Sequence, residues 1–472
     1  MSTPPLASGP EGRDVLRPLL DTVLDALGEG ERLRGGPLPA GGPPEVAERM
    51  RAAAGDVLPQ EGDPEALRRL VRALAEGSAD PADPFCTAHL HCPPLAVAAA
   101  ADLAVSVLNP SMDSWDQAPA ASELEALVTR ALANEVYADP PRGAGPYRQA
   151  APPRGATSPH RPDALITTGG TESNQLALLL ARETHGPGVR LICGENAHHS
   201  LPRSAWLLGL PEPVIVSTPH GTLDPAALDK ALHGPSVIAA TAGTTDAGLI
   251  DPLPEIAALC AQRGARLHID AAYGGGLLFS ARHRAKLTGL SVADTVTLDL
   301  HKLGWQPVAA GLLAVRDDND LAALTHRADY LNADDDTEAG LPDLLGRSLR
   351  TTRRPDVLKL AVTLKTLGRT GIGALVDQVC DQARQFAELI DRHPGFELHA
   401  PPTISTVLFR PAGATDDAVA AVRRSLLTDG RAVLGRARAA NRLWLKATLL
   451  NPTTRPADLA GLLHLVEGTT PR

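Results

Sequence analysis

From residue 163 onward the apolar positions arrive in short runs: "DALITT", "VRLICGE", "PVIVST", "SVIAATAG", "RLHID" and "TVTLDL". Each run is too short for a buried helix and is closed by turn residues, and most lead into a segment with helical spacing. Strands covered on both faces read as near-continuous apolar runs, so this texture predicts βαβ units and a mostly parallel sheet with helices on both sides. Val296, Leu298 and Leu300 alternate with polar neighbours as a strand does, and residues 309–315 read as a further strand. Before residue 163 the spacing is helical: over 15–27, through Ala75, and again from about Ser122. Past about Gly373 it becomes helix, strand, helix, strand and helix, passing through "RLWLKATLLNP". The patch "GGPLPAGGPP" at 35–44 interrupts the helical spacing and reads as a flexible linker. The pattern predicts an N-terminal helical segment over 1–84, a large α/β domain over 85–372 and a small α+β domain over 373–472.

A chain of 472 residues can bury the core this requires. Aromatic residues are only 3% of it, so alanine, leucine and valine fill most of that core. Lys plus Arg number 45 against 55 Asp plus Glu, and a net charge of -10 gives no general attraction to nucleic acid or anionic membrane. The longest apolar run, 93–108, is broken by Asp102 and is short for a bilayer. The opening residues lack the basic and apolar blocks of a secretory signal. Cys86, Cys92, Cys193, Cys260 and Cys380 are scattered and odd in number, as expected of reduced thiols in a cytoplasm.

In an open α/β sheet, ligands collect beyond the C-terminal ends of the strands. The chemically informative residues fall there. In "TTGGTESNQLALLLAR", Gly169 and Gly170 give a tight turn, and Thr171 and Ser173 stand at the mouth of a helix. Free N–H groups and hydroxyls at that point suit a phosphate, though Thr171 as a simple N-cap fits equally well. The stretch matches neither the P-loop nor the GxGxxG pattern. Asp270 closes "RLHID", where a carboxylate is expensive to bury unless it meets a cation or a protonated nitrogen, or caps the next segment. His198 and His199 follow another strand, and His89 and His91 lie elsewhere, without a third ligand at a zinc spacing; no metal site is expected. Lys302, in "DLHK", loses solvation at a strand mouth unless its amine is used. A phosphate cradle, a carboxylate, an imidazole and a buried lysine are together the set that pyridoxal 5'-phosphate requires. The amine takes the aldehyde, and the carboxylate keeps the ring nitrogen protonated.

With "AHLHCPPL", "NPSMDSWDQAPAASELE", "TTGGTESN", "AHHS", "TAGTTDAGLIDP", "HIDAAYGG", "DLHKLGWQP", "GRSLRTTRRPDVLKL" and "LKATLLNP", the chain resembles the group II pyridoxal-dependent amino-acid decarboxylases from about residue 85 to 452. The resemblance implies the aspartate aminotransferase-like fold, type I of the pyridoxal-phosphate-dependent transferases. It also implies a homodimer with the active site at the subunit interface, and an amino-acid substrate. Carried over by motif, Gly170 and Thr171 are phosphate-loop positions, followed by Asn174. His198 stacks on the ring, Thr245 lies near the ring oxygen, Asp270 partners the pyridinium, Ala272 packs under the ring, and His301 precedes the attachment lysine, Lys302. "AHLHCPPL" and "LGRSLRTTRR" are similar to the branch acting on 2,4-diaminobutyrate, ornithine or lysine.

Gly304 stands where many relatives carry an aromatic residue, and Ala361 where they carry tryptophan, which would enlarge the pocket. The segment 330–349 reads as a mobile cover, with Leu344 and Leu345 in place of the tyrosine that returns a proton in relatives, and Tyr330 well upstream. That departure leaves room for an oxygen-dependent reaction giving an aldehyde. A non-catalytic dimer partner is the remaining alternative.

Overall fold

The computed structural model describes residues 4–138, 161–325, 335 and 338–470. They fall into two compact units, one made of the segments up to Pro93 and from Val379, the other running from Pro94 to Gln378.

The first unit opens with three helices, α1 (Gly12–Arg34), α2 (Gly42–Ala54) and α3 (Ala66–Gly77). α1 has Asp14 in its first turn and Arg32 and Arg34 in its last, matching the helix dipole, and stops where Gly35 turns left-handed at φ 68°. The stretch 35–44 is not the loose linker expected. The Asp80 N–H donates to the Pro37 carbonyl and the Gly41 N–H to that of Thr428, each at 2.9 Å. A Cβ on Gly36 would sit 2.8 Å from the Gly430 carbonyl oxygen, so its lack of a side chain serves close backbone approach rather than freedom.

The second unit begins with α4 (Ala96–Leu108) and α5 (Pro119–Val136). Its seven strands are β1 (Asp163–Thr167), β2 (Arg190–Gly194), β3 (Val214–Val216), β4 (Ser236–Thr241), β5 (Arg266–Ala271), β6 (Thr295–Asp299) and β7 (Gly311–Val315). They lie in the order β1-β7-β6-β5-β4-β2-β3. The pairs among β2 to β6 are parallel, while β7 runs antiparallel to both β6 and β1. Between the strands come α6 (Gly170–His185), α7 (Ser200–Leu207), α8 (Pro225–Ala231) and α9 (Leu253–Arg263). Every residue of β4 and β5 is buried; β4 (SVIAAT) accordingly carries little alternation, whereas β5 (RLHIDA) alternates polar and apolar residues although both of its faces are covered. Leu178 and Ala181 of α6 pack with Leu191, Cys193, Val237 and Ala239, whereas Leu176 and Leu180 pack with Leu165, Leu313 and Val315, so one helix anchors both flanks of the sheet.

Residues 326–334 and 336–337, Tyr330 among them, lie outside the described residues. Leu344 and Leu345, in the described part of the expected cover, are both buried. Beside them Arg347 Nη1 donates to Asp163 Oδ2 at 2.6 Å and Nη2 to the Ala164 carbonyl at 2.7 Å, tying this stretch to β1.

The long helix α10 (Val357–Arg392), kinked at Gly368, leads back into the first unit. There β8 (Phe396–Leu398), β9 (Thr406–Pro411), α11 (Asp416–Thr428), β10 (Gly435–Ala439), β11 (Arg442–Thr448) and α12 (Pro456–Thr469) form a four-stranded antiparallel sheet with its helices. The apolar pattern predicts two strands here, and four are present. β8 is only three residues long, and β10 (GRARA) exposes Arg436 and so reads as polar. Phe386 meets Phe409 edge-on at 5.3 Å in this core.

Candidate active site

Lys302 lies in the turn that joins β6 to the antiparallel β7. In the register of the sheet, Gly311 is paired with Asp299 on one side and with Thr167 on the other. A Cβ on Gly311 would fall 2.5 Å from Gly169 Cα, so the absence of a side chain there lets the glycine turn after β1 approach the β6–β7 turn. Lys302 Nζ is 2.8 Å from Oδ2 of Asp299, a carboxylate that is itself buried. The Ala310 N–H donates to His301 Nδ1 at 3.2 Å, which leaves the ring proton on Nε2, and this atom lies 3.5 Å from the same Oδ2. Burial lowers the pKa of His301.

Asp270, at the end of β5, is 5% exposed. Its Oδ2 accepts from Asn174 Nδ2 at 2.8 Å and its Oδ1 from the Ala272 N–H at 3.0 Å. Asn174, on the second turn of α6, is wholly buried and its amide is saturated. Nδ2 also donates to Ser200 Oγ at 2.9 Å, while Oδ1 accepts from Thr297 Oγ1 at 2.9 Å and from His268 Nε2 at 3.0 Å. Because an amide oxygen can only accept, His268 must carry its proton on Nε2 and accept from Thr295 Oγ1 at Nδ1, 2.9 Å away. Burial takes the pKa of His268 down to about 4, so this ring stays neutral. The chain of bonds continues to His198. The Ser200 N–H donates to His198 Nδ1 at 3.3 Å and the Ser200 hydroxyl faces the same atom at 2.8 Å, so His198 holds its proton on Nε2. Its pKa is lowered, chiefly by burial and against the opposing pull of Asp270.

Gly170 opens α6 with no side-chain cap. A Cβ there would come within 3.1 Å of Ala272 Cβ and 3.2 Å of Asp299 Oδ2, so only glycine leaves this niche open. Contacts thus connect Gly170, Asn174, His198, Asp270, Ala272, His301 and Lys302. Thr171 is exposed in the first turn of α6, and Thr245 is exposed on the turn beyond β4, next to the buried Thr244. Ser173 is taken up by Thr167, their hydroxyls 2.7 Å apart. Gly304 does not enlarge a pocket, because a Cβ at that position would lie 2.5 Å from the Leu300 carbonyl oxygen; it permits a tight backbone turn beside the buried Trp305.

The pyridoxal-dependent decarboxylase conserved domain matches residues 49–412. The chain belongs to this family. As a pyridoxal-phosphate-dependent decarboxylase it acts on an amino acid as a carboxy-lyase. It is 37% identical over 435 residues to the L-2,4-diaminobutyrate decarboxylase of Rhizobium meliloti (strain 1021), covering 88% of this chain and 84% of that protein. The enzyme of the same name from Acinetobacter baumannii is 33% identical over 446 residues, with 86% and 83% covered. The fold agrees with that of the glutamate decarboxylase domain of diaminobutyrate-pyruvate transaminase and L-2,4-diaminobutyrate decarboxylase from Vibrio parahaemolyticus. That comparison gives a TM-score of 0.81 at 28% identity over 98% of this chain and 97% of that one. Oryza sativa TDC with PLP and tryptamine has the same fold at a TM-score of 0.85 and 22% identity, over 99% of each chain. The decarboxylase is therefore of fold type I, as the resemblance implies, and its sheet is mostly parallel, as the alternation of strands and helices predicts.

The donor set suits pyridoxal phosphate: a lysine amine, a carboxylate with both oxygens anchored, a neutral imidazole and an uncapped helix mouth that a Cβ would fill. Asp299, Ser200, His268, Thr297 and Gly311 were not singled out by the sequence reading. Only Asp299 carried a usable signal, as an acidic residue three positions before the strand-mouth lysine, which is half-buried.

Proposed function

We propose that this decarboxylase removes the α-carboxylate of a small L-diamino acid, with L-2,4-diaminobutyrate the first choice over ornithine and lysine. The observation that carries the substrate is the identity of 37% and 33%, over most of the chain, to two L-2,4-diaminobutyrate decarboxylases. The low aromatic content, 3%, speaks against an aromatic cage around the substrate.

In this reading Lys302 Nζ would hold the cofactor, Asp270 would accept from its ring nitrogen, and His198 and Ala272 would flank the ring. Gly170 and Thr171 at the mouth of α6 receive the phosphate, with Thr245 beside the ring oxygen and His301 next to the attachment point. Pyridoxal phosphate, when bound, supplies the electron sink that lets a carboxylate leave Cα. The protein's part is to hold those groups still. Asn174 fixes Asp270 because its amide is itself fixed by Thr297 and His268. Ser200 keeps the proton of His198 on Nε2, where a neutral ring offers a flat surface and a hydrogen-bond donor rather than a strong acid. Cofactor binding is assigned to residues 85–372.

The enzyme is further read as a cytoplasmic homodimer with the active site at the subunit interface. Five cysteines, scattered and odd in number, support a reducing compartment. Leu24, Leu27 and Leu33 of α1 and Leu67, Leu70 and Leu74 of α3 are all exposed, which supports a second copy covering them.

The test is a panel of common and diamino L-acids with carbon dioxide, amine and oxygen measured together, alongside sedimentation. One carbon dioxide and one 1,3-diaminopropane per 2,4-diaminobutyrate, without oxygen uptake, is the expected outcome. Preference for glutamate or an aromatic acid overturns the substrate, and stoichiometric oxygen uptake with ammonia release puts the aldehyde-forming reaction in its place.

A further inference from the structure

Lys302 has a partner before any cofactor arrives. Its Nζ lies 2.8 Å from Asp299 Oδ2, and the side chain of Asp299 is 3% exposed. Little else competes for that carboxylate. Oδ1 is buried without a hydrogen-bond partner, and His301 Nε2 stands farther off, at 3.5 Å. An aldehyde that reaches this lysine must therefore take its Nζ away from the carboxylate. Attachment of an aldehyde needs the free amine. The nitrogen lone pair forms the bond to the aldehyde carbon and the aldehyde oxygen leaves as water, so the ammonium proton must first pass to solvent.

We propose that Asp299 is the resident counter-ion of Lys302 and that release of Lys302 from it limits uptake of pyridoxal phosphate. This rests on the reading of Lys302 as the attachment residue. It makes Asp299 a positioning residue that keeps the amine ordered but unreactive until the cofactor displaces it. The other charged or titratable groups set toward the pair are His301 in the same turn, Asp270 at the end of β5, His198 before α7, and Lys359 of α10 acting through His301. All of these stay unchanged when Asp299 is replaced by its uncharged isostere.

Cofactor-free wild type, Asp299→Asn and Asp299→Glu are mixed with pyridoxal phosphate, and the absorbance of the attached cofactor is followed across pH. Borohydride reduction and peptide mapping then locate it. Asp299→Asn should take up the cofactor roughly tenfold faster or more at neutral pH, the least expected when an opposite charge in contact with the amine is removed. Asp299→Glu should stay close to wild type. Uptake of pyridoxine 5'-phosphate, which has the phosphate but no aldehyde, should change much less. Equal or slower uptake by Asp299→Asn with the label on Lys302 overturns the counter-ion role alone. An equal gain for pyridoxine 5'-phosphate also overturns it, since the carboxylate would then act on the phosphate. A label on another lysine overturns the attachment reading itself. If Asp299→Asn lacks the wild-type circular dichroism, Asp299→Ser is judged by the same criteria.

Discussion

Replacing Asp270 by asparagine tests two roles of one carboxylate, and the structure gives each its magnitude. Both oxygens of Asp270 accept, one from Asn174 Nδ2 at 2.8 Å and one from the Ala272 N–H at 3.0 Å. Neither donor can reverse. One is backbone, and the other belongs to an amide whose oxygen is already held by Thr297 and His268. Asparagine has a single oxygen, so its amino group must face one of these donors, which should destabilise the cofactor-free protein by ~1–3 kcal/mol. The loss of a preorganised charge opposite the cofactor should lower kcat by a further factor of roughly 10²–10³. The exchange variant Asn174→Asp/Asp270→Asn separates the two effects. It sets an acceptor against an amide again, with Ser200 turning its hydroxyl away from His198. Urea unfolding of the cofactor-free chains should show most of the lost stability recovered, whereas carbon dioxide release at saturating cofactor stays low. Normal turnover of the single variant, or recovery of turnover in the exchange variant, refutes the assignment of Asp270 to the cofactor.

Burial lowers the pKa of His268 to about 4 from 6.5. The stability it contributes is therefore full above the unfolded value and lost as pH falls toward 4, about 3 kcal/mol in all. Urea midpoints of the cofactor-free chain should show this acid slope, and His268→Gln should flatten it. The thiols of Cys86, Cys193 and Cys260 are pushed up to about 12, mainly by burial, so each stays protonated in the folded chain. A disulfide reagent at mildly alkaline pH should modify them ~10³-fold more slowly than after unfolding, and stability should fall as pH rises above the unfolded thiol range. Arg353 donates to both oxygens of Glu125 at 2.6 and 2.7 Å with both side chains buried. Glu125→Gln should destabilise by ~3–5 kcal/mol in the same assay, and Glu125→Leu/Arg353→Met by clearly less.

The strands of the large sheet were legible because most of them are short, largely apolar runs closed by turn residues. β10 was not, since alternate positions on it are arginines. Lys302, Asp270 and His198 could be singled out because each puts costly chemistry at the end of a strand. Asn174 came with the motif at the mouth of α6, but its function as a junction did not. Its partners His268 and Thr297 are polar residues in the middle of apolar strands, and their meaning appears only when β5 lies beside β6, with His268 across from Thr295 and Asp270 from Thr297. No local pattern fixes that order. The burial of Leu344 and Leu345 was not legible for a similar reason: the stretch is held where Arg347 finds Asp163, far away in sequence.

The place of β7 between β6 and β1 has a consequence for how the enzyme is made. A chain leaves the ribosome N-terminus first, and β1 with its glycine turn is synthesised long before the strand that will pair with it. Asp163 waits for Val315, roughly 150 residues later, a separation that makes this pairing slow to close. Until then the niche at Gly170 has no Lys302 beside it, and on the reading of Lys302 as the attachment residue a nascent chain lacks the residue that would fix the cofactor. On that reading, loading would wait for the finished large unit. In the interval "DALIT" is an apolar strand without its neighbour, the kind of segment that chaperones must keep from pairing with other chains.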